Sequence, residues 1–279
     1  MTASSLVLRA PRVSTRHGVS RSVSPRRLLL GAAGIALLLV IWQLVNVLGI
    51  VNPLYLPSAV DVLAQFVTNA AATWFWLAVL DTMWAWFLGL LFATIAALLL
   101  GFIVGSSRFL QRATNSTVEF LRPIPSVALI PVAVLLFGIQ IGSTLMLIVY
   151  AAFWQIFIQV LYGVADIDPV ARNTARSFGL GRAAQWRHVV FPTTLPYLIT
   201  GLRLASAVAL ILAITTELVV GSPGIGHEIA LAQSGGATTS MYALVVAAGL
   251  IGVLLNSLMR WVERRTLAWH SSMRAEAIV

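Results

Sequence analysis

Side chains able to do chemistry are sparse in this sequence, and their spacing rules out most of what they could do. The four histidines are His17, His188, His227 and His270. No two of them stand four apart, as a zinc pair on one helix face requires, and His227-Glu228 begins like a zinc-protease motif whose second histidine is missing. It reads as loop. There is no cysteine, which removes disulfides, thiolate metal sites and cysteine nucleophiles. There is no lysine either: all 18 basic residues are arginine. A Walker-type loop needs lysine on the β- and γ-phosphates, so ATP that drives this chain must be bound by a partner. Schiff-base chemistry on lysine is excluded as well, and no serine elbow or kinase-like set is present. The sequence predicts no catalytic, cofactor-binding or metal site, and therefore no enzyme.

Two acids remain. Glu217 lies near the outer end of a long apolar run, where an intramembrane carboxylate is costly and usually functional. A shallow position in reach of interfacial water is the plainer alternative. Glu217 is thus a candidate for translocation or gating. Asp81 sits at the outer end of another apolar run and reads as solvated. Neither has an evident buried arginine partner, which argues against a proton relay.

The elements that must position these groups are membrane spans. Of 279 residues, 59% are apolar and 10% charged, and the mean hydropathy is +0.92. A water-soluble domain carries far more charge. Apolar runs of the required ~20 residues fall at about 28–50, 77–104, 113–137, 141–164, 197–220 and 241–261. The third is interrupted: Glu119, Arg122, Pro123 and Pro125 precede its apolar part, which predicts a helix broken towards one side. Six arginines lie within residues 1–27, three within 106–122, four within 165–190 and four within 260–279, with Arg203 just inside the fifth span. Residues 51–76, 138–140 and 221–240 hold none. With six spans every arginine falls on one side, and the positive-inside rule makes that side, with both termini, cytoplasmic. The same distribution explains the net charge of +9 without nucleic acid. The expected fold is all-α, a polytopic membrane protein of about six transmembrane helices and a short cytoplasmic coupling helix pair. Residues 1–27 read as a flexible basic tail, 28–262 as the transmembrane domain and 263–279 as a second tail. Gly101 and Gly105 form a small-xxx-small pair for close helix packing, within or between subunits. Gly221-Ser-Pro-Gly-Ile-Gly226 reads as a turn-rich outer loop.

The cytoplasmic segment 165–196 carries the most specific signals. Asp168 suits an N-cap, Pro169 the first helical position and Gly179 the left-handed residue that ends a helix. A second helix at about 182–190 stops before Pro192. On the first helix Val170, Thr174 and Phe178 share one stripe, and Arg172 and Arg176 another. An amphipathic pair resting on the lipid surface and a docking element for a cytosolic partner both fit that pattern.

A resemblance favours docking. Asn173-Thr-Ala-Arg-Ser-Phe-Gly179, followed after nine residues by Val189-Val-Phe-Pro192, resembles the "EAA" loop of ATP-binding-cassette importer permeases. Ala175, Gly179 and Pro192 match. Val189 and Phe191 are apolar replacements, while Asn173 stands where the usual Glu would be and Thr174 where Ala would be. Leu56-Pro57-Ser58, Leu121-Arg-Pro-Ile-Pro125, Ile130-Pro131, Phe137-Gly138-Ile139, Gly201-Leu202-Arg203 and Glu217 are similar to the branch that moves sulfonates, taurine, nitrate or bicarbonate. The likeness covers about 56–262. It implies a permease without a cofactor of its own, paired as a homodimer in the lipid of the cytoplasmic membrane. It also implies cytosolic ATPase subunits, an extracytoplasmic solute-binding protein, and an ATPase-coupling surface made by Asn173, Thr174, Ala175, Phe178, Gly179, Val189 and Pro192. A proton- or ion-coupled secondary transporter is the alternative; it would place ionisable groups near the bilayer midplane, where these spans are nearly free of them.

Overall fold

A computed structural model describes residues 25–268, with side chains from residue 29 onward. Of the two expected tails, 1–24 and 269–279 lie outside the described residues, while 25–27 belong to the first helix and 263–266 to the last. Every regular element among those described is helical. Five helices are long and apolar enough to cross a membrane, or six if one sharply bent pair counts as a span. They are α1 (Pro25–Val47), α3 (Thr73–Gly105), α6 (Ile141–Ala165), α9 (Phe191–Val220) and α11 (Thr238–Thr266), and the bent pair is α4 (Arg108–Leu121) with α5 (Ile130–Phe137).

The core is a tight trio of α3, α6 and α9. Between apolar helices in lipid there is little hydrophobic gain, so close approach and dispersion must hold them. The contact residues are accordingly small. Ala93, Ala97, Ala152, Ala205, Ala209 and Ala213 are fully buried between them. Gly101 and Gly105 lie against Val160 and Val164 of α6, so this pair packs two helices of the same chain. A Cβ on Gly101 would stand 2.8 Å from the Val160 side chain, and one on Gly163 2.4 Å from that of Thr194. The buried Trp86 indole donates to the Ser206 carbonyl at 3.0 Å, tying α3 to α9 with a polar contact that its burial demands.

The break in the third span has a physical cause. In an unbroken helix the Leu121 carbonyl would accept from residue 125, which is proline and has no N–H. The chain turns by 81° between α4 and the segment that ends in α5. The Leu121 carbonyl instead accepts from the Ile124 amide at 3.2 Å and from the Tyr150 hydroxyl of α6 at 2.6 Å, which fixes the elbow.

Two stretches expected as outer loops contain helices. Residues 51–76 hold α2 (Ala59–Ala70), capped reciprocally: Ser58 Oγ accepts from the Asp61 amide and donates to the Asp61 carboxylate. Trp42 and Asn46 of α1 donate to the Pro57 and Leu56 carbonyls, and Tyr242 of α11 to that of Tyr55. Residues 221–240 hold α10 (Ile225–Ser234), so His227 and Glu228 lie on a helix and not in a loop. The glycine-rich run masked it, because its turn residues form only the entry to this helix.

Candidate functional site

At the arginine-rich end, α7 (Pro169–Ser177) projects from the helical core. Asp168 Oδ1 accepts from the Val170 amide at 2.8 Å, and Pro169 occupies the first turn, where its missing N–H costs nothing. The other end closes at Gly179, with φ of +74°. There the Leu180 amide reaches back to the Ala175 carbonyl at 3.0 Å and the Gly179 amide to that of Arg176 at 2.9 Å. This is a Schellman ending, which needs a left-handed residue that glycine alone adopts without strain.

The hairpin is anchored by few residues. Ile167, Ala175 and Val190 are buried, and the Trp186 ring packs edge-on against Phe102 of α3 at 4.5 Å. Sequence reasoning gave Trp186 no role, although a tryptophan between two arginine-bearing turns is the available signal. Nearly everything else on α7 is bare: Phe178 is 80% and Val170 68% exposed, and Asn173 and Thr174 are exposed beside them. The structure thus brings Asn173, Thr174, Phe178 and Gly179 onto one uncovered surface and seats Ala175 against the protein. Val189 and Pro192 are half-buried at the junction with α9.

That junction departs from the expected stop before Pro192. The second helix begins as α8 (Arg182–Gln185), passes through a π-helical turn at Trp186–Val190, and continues into α9. The Phe191 amide bonds to the Trp186 carbonyl, five residues back. The wider turn carries Pro192 inside a running helix, since one inserted residue absorbs the hydrogen bond that proline cannot make.

At the opposite end stands Glu217. It is 1% exposed, so it does not reach interfacial water through this chain's surface. Its Oε2 accepts from the Thr82 hydroxyl at 2.9 Å and from the Gly226 amide at 3.0 Å. Thr82 in turn accepts from the Ile225 amide at 2.9 Å. The carboxyl thus takes one free amide of the first turn of α10, Gly226, directly and reaches a second, Ile225, through Thr82. Close approach is enforced by glycine. Gly224 has φ of +148°, and a Cβ there would lie 2.2 Å from the Glu217 carboxyl carbon. Glu217 Oε1 has no hydrogen-bond partner. Thr82 was not singled out by sequence and Gly226 entered only as the end of a turn-rich loop; the pairing of Thr82 with Glu217 spans distant segments and leaves no local pattern. Asp81 is exposed beside this cluster. Among the described residues no three His, Asp or Glu side chains converge as a metal site.

A bundle of apolar spans with a capped, uncovered helix at one end and a carboxylate clamp at the other defines a multi-pass membrane transport subunit. The family of binding-protein-dependent transport system inner membrane components matches residues 89–268, and the chain belongs to that family. It is similar to the taurine transport system permease protein TauC of Escherichia coli (strain K12), 29% identical over 96% of this chain and 97% of that protein. The putative aliphatic sulfonates transport permease protein SsuC of Bacillus subtilis (strain 168) is 27% identical over 85% of this chain and 86% of that protein. The nitrate import permease protein NrtB of Leptolyngbya laminosa is 30% identical over 64% of each. An inward-facing structure of the MetNI methionine ABC transporter shares the fold, with a TM-score of 0.58, 20% identity, and coverage of 67% of this chain and 94% of that one.

Proposed function

We propose that this chain is the transmembrane permease subunit of an ATP-driven importer. It moves a small solute, an organic sulfonate or similar small anion, across the cytoplasmic membrane by alternating access. Cytosolic ATP-binding-cassette subunits bind the nucleotide, an extracytoplasmic solute-binding protein delivers the solute, and two copies of the permease line the path within the lipid. Both termini and the segment 165–196 are cytoplasmic. Residues 28–262 form the permease domain, flanked by the tails 1–27 and 263–279. Asn173, Thr174, Ala175, Phe178, Gly179, Val189 and Pro192 form the coupling surface. Glu217 serves the outer gate by holding α10 to α9 and α3.

The observation that carries this reading is α7, a helix capped at both ends whose Val170, with Phe178 at its C-cap, no described residue covers. An exposed apolar anchor of that kind suits a groove on a partner. The relatives named as transport permeases support the substrate class. The test is reconstitution in liposomes. The purified chain alone hydrolyses no nucleotide, and addition of its ATPase and solute-binding partners gives ATP-driven uptake. Hydrolysis by the chain alone, or uptake without the ATPase, refutes it.

A further inference from the structure

Arg203 stands inside a span, away from the loops that hold the other arginines. From there to the end of α9 at Val220 is about 26 Å, at ~1.5 Å per residue. With a hydrocarbon core of about 30 Å, that depth is a boundary where arginine can lay its stem on apolar surface and keep its head in the polar layer. Beside it a slot of about 210 Å3 runs between α9 and α11. It is smaller than the about 300–1,000 Å3 of an ordinary small-molecule site, and its lining changes along its length. Arg203 and Asn256 line one end; Leu210 and Ile211 line the α9 wall about two turns further in, and Gly252 lines the α11 wall. Gly252 does not serve close packing. A Cβ there would stand 3.5 Å from the Leu210 side chain, an ordinary contact, and one on Gly249 would meet nothing within 4 Å. Helix-interior glycines are unfavourable relative to alanine, and what these two leave is an open channel along α11. The polar end carries excess positive charge. Arg203 Nη1 donates to Glu263 at 3.1 Å, which engages one N–H of a guanidinium that carries several. Arg260 and Arg264 flank Glu263 on α11 and make no ion pair among the described residues. Trp261, with Arg265 over its ring at 5.5 Å, suits the same interfacial level.

From this arrangement we infer that the slot between α9 and α11 holds an anionic phospholipid of the leaflet on the arginine-rich side. Its phosphate lies on Arg203 and the arginines of α11, and one acyl chain follows the channel past Gly252 and Gly249. The inference goes beyond the importer reading and stands without it, resting only on the membrane bundle. Guanidinium forks match phosphate oxygens, and basic pockets between spans at this level suit anionic headgroups. A zwitterionic headgroup brings no net charge to Arg203, Arg260 and Arg264, which outnumber Glu263. A second copy of this chain fits the slot poorly. Inserted by the same positive-inside rule, it would bring its own arginines to that level, Arg26 and Arg27 of α1 among them. The bound lipid acts as a splint: it bridges α9 and α11 where Arg203–Glu263 is the one ion pair among the described residues.

The test places the full-length chain in nanodiscs of phosphatidylcholine. The sequence has no cysteine, so Val253→Cys, at an exposed position beside the slot, gives a unique thiol for a bimane label. Phosphatidylglycerol or phosphatidylcholine with a doxyl quencher on the same acyl chain is then titrated in. Phosphatidylglycerol is expected to quench at about fivefold lower concentration, the scale of one arginine facing an anionic lipid. Arg203→Gln reduces that preference towards parity. Glu263→Gln breaks the same ion pair but removes a like charge from beside the phosphate, so the preference stays or grows. A purely structural ion pair would make the two variants behave alike, and loss of the preference in both overturns the proposal. Equal quenching by the two lipids before either change overturns it, as does a preference undiminished by Arg203→Gln. Absence of quenching by either lipid puts protein, a second copy of the chain, in the slot and overturns it as well. Gly252→Leu fills the channel without straining the helix and weakens quenching by phosphatidylglycerol; quenching that it leaves unchanged refutes the acyl-chain placement.

Discussion

At the scale of single residues, the Glu217 clamp shows how a membrane domain tolerates a buried carboxyl group. Glu217 takes hydrogen bonds from Thr82 and from the first turn of α10, so the buried carboxyl oxygen and the helix end satisfy each other. Glu217→Ala leaves the buried Gly226 amide without its acceptor, at about 1–3 kcal/mol, while the Thr82 hydroxyl keeps the Ala78 carbonyl at 3.2 Å. Thermal unfolding in detergent should show that loss. Glu217→Gln, which keeps an acceptor oxygen, should show a smaller one. If the two variants melt alike, the hydrogen bonds are not what holds α10. Gly226→Ala offers an independent check. Its Cβ would stand 2.2 Å from the Ile214 carbonyl oxygen, a backbone atom that cannot swing away, so α10 must lift. A destabilisation of about 1–3 kcal/mol, as for overpacking, is expected in the same assay.

At the scale of elements, α7 and its exit turn lend themselves to substitution because they are exposed and their caps are local. Gly179→Val places a β-branched residue at φ of +74° and should disturb the helix ending. Phe178→Ala removes an exposed anchor, which in docking interfaces commonly carries about 2 kcal/mol or more. Both variants should insert in the membrane normally and lose ATPase co-purification and uptake. Normal uptake in both would make α7 a lipid-facing amphipath. The same locality explains why this region was legible in the sequence: Asp168, Pro169 and Gly179 act on neighbouring amides and carbonyls. Span positions were legible for a similar reason, since apolar length and arginine placement are properties of contiguous segments. The helix α10 was not, because its first turn is satisfied by Glu217 and Thr82 from other helices. Nor was the passage through Pro192, because a π turn is a backbone adjustment with no composition of its own. The elbow was half legible: Pro123 and Pro125 announce a break, but not Tyr150, which stabilises it from 29 residues away.

At the scale of the whole molecule, α2 and α10 gather at the arginine-free end and α4, α7 and α8 at the arginine-rich end. Reporter fusions at residue 279 and within 234–238 should therefore report opposite compartments, with the first cytoplasmic; a shared compartment would contradict six crossings. Because the π turn lets α8 run on into α9, the chain from Arg182 to Val220 is one strut, about 55–60 Å long at ~1.5 Å per residue. One of its ends carries the hairpin where an ATPase would push, and the other carries the carboxylate that grips α10. A strut of that length works by leverage. A tilt of about 5° at its inner end sweeps the outer end through about 5 Å, the scale of a one-turn shift between packed elements. On the proposed importer reading, the clamp at Glu217 would make α10 travel with it, so a small angular motion at one end of the strut would become a displacement of several ångströms at the other.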